Sequence, residues 1–130
     1  MLSEIVGSLR NRIGVLGKGE VSSSAILPFV SANKSLRFIS SNTILYLHEI
    51  QQQVEEWRSA EYIMREANNT LWLEQLFVKN ISQETGIPED KIEAWRKQGT
   101  YFNARQAVEA GLASKVLLTA HGFDANTKKT

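Results

Sequence analysis

The chain contains no cysteine, which removes disulfides, thiolate metal sites and cysteine nucleophiles together and is compatible with a reducing cytosol. Imidazoles are scarce: His48 and His121 are the two in the sequence. Excess charge is missing as well, with 15 basic against 14 acidic side chains and a net charge of +1. Binding a phosphate backbone calls for a clustered basic face, so nucleic acid is not an expected partner. Long apolar runs are absent. The longest, Ala25 to Val30, is far too short to span a bilayer, and the start Met1-Leu2-Ser3-Glu4-Ile5 lacks the basic and apolar regions of a signal peptide. The chain therefore reads as cytoplasmic, with no membrane partner. What it does have is 42 % hydrophobic residues in 130. A single domain of that size buries roughly two-thirds of its unfolded surface and needs no metal or disulfide staple.

Leu2, Ile5, Val6 and Leu9 recur at helical spacing, predicting a short amphipathic helix over residues 2 to about 11. Ile13 to Gly17 is a β-like apolar pentad closed by Gly17-Lys18-Gly19. Ser22-Ser23-Ser24 then opens the apolar run 25–30, so the expected order is strand, tight turn, serine, helix, with Pro28 about one turn into the helix. Strands are expected at Leu36–Ile39 and Thr43–Leu47, separated by Ser40-Ser41-Asn42, with His48 at the end of the second. From Ser59, Ala60, Ile63, Met64, Ala67 and Leu71 set a helical stripe. Trp72, Leu73, Leu76, Phe77 and Val78 widen it, predicting a helix to about Ser82 that wants more than one neighbour. Thr85-Gly86-Ile87-Pro88 ends that helix. Short helices follow at Glu89 to Lys97 and Ala104 to Ala110, the second closed by Gly111, and Lys115 to Thr119 is a last strand. One domain over 1–130 with a frayed tail at 125–130 completes the reading.

Two residues carry candidate chemistry. A serine between a strand and a helix, at Ser23, has its hydroxyl lifted at a helix N-terminus, where backbone N–H groups can hold an oxyanion. Ser22, Ser23 or Ser24 serves equally well as a simple N-cap. His48, at a strand end, can meet that serine at one sheet edge. A neutral imidazole takes a hydroxyl proton and returns it to the leaving group. A strand-end histidine beside Glu49 is also an ordinary surface or capping residue, and His121 in Ala-His-Gly-Phe reads as a loop residue.

These segments resemble the family of Clp protease proteolytic subunits (ClpP). Gly19-Glu20-Val21-Ser22-Ser23-Ser24-Ala25 is similar to that family's nucleophile turn, and Arg37-Phe38 through Asn42-Thr43-Ile44 to Leu47-His48-Glu49 to its histidine strand. Thr85-Gly86-Ile87-Pro88, Tyr101-Phe102-Asn103-Ala104-Arg105-Gln106-Ala107-Val108-Glu109-Ala110-Gly111-Leu112 and Lys115-Val116 resemble its C-terminal signature. The resemblance runs from about residue 1 to residue 120. It implies an α/β fold of the ClpP/crotonase-like β-β-α spiral type, shortened at the N-terminus. It also implies a serine-type endopeptidase with Ser23 as nucleophile and His48 as general base, acting on unfolded polypeptide without metal or organic cofactor. Homo-oligomeric rings docked through the long helix after Ser59, and an ATP-driven unfoldase of the AAA+ kind as partner, belong to the same implication.

The departures are specific. Where the family has the third triad member, an aspartate, this chain has Trp95, whose indole cannot accept a histidine N–H. Glu93 is the candidate substitute for the orienting acid, with Asp90 and Glu89 nearby, and the alternative for all three is a solvated helix face. The family's oxyanion glycine pair would lie upstream of Met1, and Ile50-Gln51-Gln52-Gln53 is unlike its glycine-rich handle strand. Loss of the aspartate alone costs a serine protease on the order of 10⁴ in turnover. A catalytically impaired paralogue, serving as a structural or regulatory ring subunit, is therefore the alternative. An acyl-CoA enzyme of the crotonase superfamily ranks below both.

Overall fold

The strands among the described residues are three or four residues long, and four of the six end on glycine, serine or asparagine. The computed structural model describes residues 2–8, 14–22, 25–51 and 57–118. Helix α1 (Leu2–Ser8) is followed by strands β1 (Val15–Gly17) and β2 (Glu20–Ser22) and helix α2 (Ile26–Ser31). A 3₁₀ turn at Lys34–Leu36 leads into β3 (Arg37–Ser40), β4 (Ile44–Leu47) and the long helix α3 (Ala60–Thr85). Helix α4 (Glu89–Gln98), β5 (Thr100–Asn103), α5 (Ala104–Ala110) and β6 (Lys115–Leu117) complete it.

Two three-stranded sheets result, ordered β1-β3-β6 and β2-β4-β5. Each β-β-α turn of the chain gives one strand to each sheet, which makes the path a spiral. β1, β3 and β6 run parallel, as do β2 and β4, while β5 closes the second sheet antiparallel. The sequence pattern predicts turn, serine and helix over 18–25. In fact Glu20–Ser22 forms a strand of its own, because Gly19 reverses the chain at φ +77 and Ile44 N–H then bonds the Gly19 carbonyl at 2.8 Å. Ser22 thus ends a strand, and the N-cap position of α2 is Ala25, with no side-chain cap. β5 is likewise a strand that the sequence pattern does not predict.

The core lies between the sheets and helices. Ile26, Phe29 and Val30 of α2, Ile39 of β3, Leu45 and Leu47 of β4, and Ile81 and Ile92 from α3 and α4 are buried together. Pro28 is the third residue of α2, where its missing N–H has no intrahelical partner to lose. Arg37 is also buried, its Nε donating to the Ala32 carbonyl at 2.9 Å and its Nη2 to the Glu84 carbonyl at 2.7 Å, so one side chain joins the ends of α2 and α3 to β3.

Ser59 starts α3 as expected, its Oγ accepting from the Tyr62 N–H, and Gly86 ends it at φ +80 with its N–H on the Ser82 carbonyl. The buried residues of this helix are Val78, Ile81 and Thr85, all in its last third. Ahead of these it exposes Ile63, Met64, Leu71, Trp72 and Leu73. The wide apolar surface that the sequence shows thus has only part of its neighbours within this chain. Asn103 and Gln106 form a reciprocal capping box at the start of α5, and Gly111 ends that helix. The expected tail at 125–130 and His121 lie outside the described residues.

Candidate active site

The site is built where β4 leaves its sheet. In the parallel register of β2 and β4, Ser22 is the partner of Tyr46, and His48 follows β4 directly. Ser23, the next residue after β2, lies outside the described residues. Tyr46 and His48 are two residues apart on an extended segment and share a face. Their rings stack at 4.7 Å with planes 23° apart, and on the other side Tyr46 stacks on its cross-strand partner Tyr101 at 4.0 Å and 7°. The adjacent Tyr46 and partial loss of hydration hold the Tyr101 phenol above the ordinary tyrosine range. Gly99 is needed beneath this stack: at φ +67, a Cβ there would come within 3.2 Å of the Tyr46 hydroxyl.

The imidazole is held from its Nδ1 side. Nδ1 lies 2.7 Å from the Glu49 carbonyl oxygen. A carbonyl only accepts, so Nδ1 carries the proton and Nε2 is the basic nitrogen, the tautomer that a general base for a hydroxyl requires. The same peptide group is held at its other end, where Ile50 N–H donates to Glu74 Oε1 at 2.6 Å. Arg96, which is 4 % exposed, binds around this turn. Its Nε donates to the His48 carbonyl at 3.2 Å, its Nη1 to the Glu74 carbonyl at 3.1 Å, and its Nη2 pairs with Glu74 Oε1 at 3.4 Å. Burial pulls its pKa below the usual arginine value, and Glu74, Glu49 and Glu93 act to raise it. The guanidinium also lies over the Phe77 ring at 4.7 Å.

Glu93 and Asp90 have partners of their own. Glu93 Oε1 pairs with Lys97 Nζ at 3.2 Å across one helical turn, both side chains being more than half exposed. Asp90 Oδ1 accepts from the Lys91 N–H. Trp95 is part of the packing, edge-on to Phe102 at 5.0 Å. Glu89 and Glu93 line, with Glu49, Glu74, Arg96 and Lys97, a cavity of about 290 Å³ between α3 and α4. Glu74 and Arg96 escape a reading of the sequence because neither has a local motif. A signal is available for Tyr46, whose i, i+2 spacing from His48 puts the two on one strand face. Among the described residues no three His, Asp or Glu side chains are grouped as a metal site. No helix among them is long and apolar enough to cross a membrane.

Two interleaved sheets of strands contributed turn by turn, with a histidine at the end of a strand beside the serine-bearing one, define an α/β protein of the ClpP fold. The chain belongs to the Clp protease family, whose model matches residues 2–120. It is 25 % identical over 117 residues to the ATP-dependent Clp protease proteolytic subunit of Paracoccus denitrificans, covering 90 % of this chain and 58 % of that protein. Proteolytic subunit 2 of Pseudomonas aeruginosa is 24 % identical over 119 residues, covering 92 % of this chain and 58 % of the relative. The chloroplastic proteolytic subunit 6 of Arabidopsis thaliana is 23 % identical over 113 residues, or 87 % and 41 %. The chain thus spans about half the length of the curated relatives it matches.

Proposed function

We propose that the chain is a ClpP-like serine-type endopeptidase subunit in which Ser23 is the nucleophile and His48 the general base. Ser23 Oγ bonds to the carbonyl carbon of a peptide while His48 Nε2 takes the hydroxyl proton. His48 returns that proton to the leaving amine as the C–N bond breaks, and water, deprotonated by the same nitrogen, hydrolyses the acyl-enzyme. The observation that carries this reading is the 2.7 Å contact of His48 Nδ1 with the Glu49 carbonyl, an acceptor that calls for the proton on Nδ1, on a residue two past the strand partner of Ser22. No cofactor is needed for this chemistry. Unfolded polypeptide in a cytoplasmic setting is the substrate class, homo-oligomeric rings are the assembly, and an ATP-driven unfoldase is the partner. The exposed apolar face of α3, with Leu71 56 % and Trp72 62 % exposed, supports assembly through that helix.

Treating the folded chain with a fluorophosphonate probe and mapping the adduct tests the reading. Label at Ser23, lost in Ser23→Ala, is the expected result, and a folded chain that stays unlabelled refutes it. A second reading, an impaired paralogue acting as a structural ring subunit, is favoured by Trp95 standing packed where the family has its aspartate and by Glu93 being committed to Lys97. Native mass spectrometry with and without an active relative separates the two: rings formed by a chain that takes no label belong to the second.

A further inference from the structure

The Nδ1 side of His48 ends on a backbone carbonyl, and a neutral acceptor fixes a tautomer less firmly than a carboxylate does. The peptide group supplying that carbonyl is, however, not an isolated one. Its oxygen, from Glu49, accepts from His48 Nδ1 at 2.7 Å, and its N–H, from Ile50, donates to Glu74 Oε1 at 2.6 Å. Both bonds are short for their kind, and the second is charge-assisted. A peptide is a resonance-coupled donor and acceptor. Negative charge placed at its N–H pushes electron density onto its oxygen, and hydrogen bonds chained in this way strengthen one another by about 10–30 %.

We infer that Glu74 is the positioning acid for the His48 base, acting through the Glu49–Ile50 peptide group, with Arg96 as its counter-ion. This rests on the serine-peptidase reading for its consequence, although the hydrogen-bonded chain itself does not. Arg96 makes the arrangement rigid. It holds Glu74 by both its carboxylate and its carbonyl, and it holds the His48 carbonyl, so the residue that carries the base and the carboxylate that binds the relaying peptide are fixed to the same guanidinium. Glu74 comes from α3 and Arg96 from α4, so two helices converge on one turn of backbone. The carboxylate sits one peptide away from the imidazole, so it is a positioning group that need never touch the ring. Trp95 can then be spared for packing at the place where the family keeps its direct acid.

Nitrogen NMR of the ¹⁵N-labelled full chain, at a pH where the ring signals no longer move with pH, reads the tautomer directly. His121→Gln distinguishes the two imidazoles. In the unsubstituted chain the His48 proton is expected on Nδ1, and a ring protonated on Nε2 overturns the inference without any variant. Glu74→Ala should shift the ratio toward Nε2–H at least threefold and slow fluorophosphonate labelling of Ser23 by about tenfold or more. Glu74→Gln, whose side-chain oxygen can still accept from Ile50 N–H, should recover most of the Nδ1–H population. A folded Glu74→Ala chain with an unchanged tautomer overturns the inference, since a role confined to stability leaves that ratio alone. Should the alanine variant not fold, Glu74→Gln and the Ile50 amide decide: a Glu74 bond to that amide predicts a downfield proton and slow exchange, and an ordinary solvent-exposed amide overturns it. A tautomer governed by Glu74 in a chain that takes no label upholds the relay and counts against the peptidase reading alone.

Discussion

Replacing Arg96 by methionine removes a charge while keeping most of the aliphatic stem. In the native chain the guanidinium is 4 % exposed and donates to the His48 and Glu74 carbonyls and to Glu74 Oε1. Its loss leaves Glu74, whose side chain is 17 % exposed, without its counter-ion and takes a donor from the His48 carbonyl, while the Glu74 carbonyl keeps its own bond within α3. Breaking a fully buried ion pair by removing one partner costs about 3–5 kcal/mol. Here the figure belongs at the lower end, because Glu74 borders the cavity of about 290 Å³ and water there can hydrate it. The lost bond to the His48 carbonyl adds about 1 kcal/mol, part of which entering water restores. The net expectation is about 3 kcal/mol of lost stability. With an m-value of about 1.5 kcal/mol per molar, urea unfolding followed by tryptophan fluorescence should shift its midpoint down by about 2 M at fixed protein concentration. Arg96→Lys should recover only about 1 kcal/mol of this, since one ammonium cannot serve acceptors spread around a planar fork. A methionine variant within about 1 kcal/mol of the parent would falsify the view that Arg96 organises the turn after β4.

Gly99→Ala should cost about 1–2 kcal/mol, lowering the melting temperature by roughly 5 °C, because φ is +67 and the new Cβ meets the Tyr46 hydroxyl at 3.2 Å. An unchanged melting curve counts against that backbone geometry. Asn103→Ala removes one half of the α5 capping box and should cost about 1 kcal/mol in chemical denaturation, with Asn103→Asp largely sparing it. Tyr101, although exposed, has its phenol held above the ordinary range by the adjacent Tyr46, and an ultraviolet titration should show a tyrosine ionising above that range. The proton is held more tightly in the folded state, so its contribution to stability is complete below the unfolded tyrosine value and fades as pH rises through the folded one. Tyr46→Leu should bring Tyr101 back toward the ordinary value, and no movement refutes the assigned cause.

The helices are largely legible in the sequence because their signals are local. Ser59 with Tyr62 and Gly86 with Ser82 bracket α3 within a few residues of each end, and Asn103, Gln106 and Gly111 do the same for α5. Strands β2 and β5 are not, because three or four residues carry too little alternation. Tyr101 in β5 is 62 % exposed yet pairs with Tyr46, so its partner rather than its burial makes it a strand residue. Of the candidate site, His48 is visible in the sequence as a strand-end residue, whereas Ser23 lies outside the described residues. Glu74 and Arg96 are not visible there: they sit 22 residues apart on different helices, neither in a local motif, and their meeting depends on how α3 and α4 turn back at Gly86. The expected acid at Glu93 follows from proximity in sequence, whereas helical geometry gives that carboxylate to Lys97 four residues on.

Interleaving the strands has a consequence for how the chain is made. Neither sheet can be finished from one end, since the first lacks its edge until β6 reaches β3, and Ser114 closes onto Arg37 across 77 residues. Such distant pairings are slow to find. On a ribosome adding about 5–20 residues per second, β1 to β4 must wait seconds, with open edges, for their last partners to emerge. A pulse of protease during synthesis should therefore cut the nascent N-terminal half until the final strand is out of the exit tunnel.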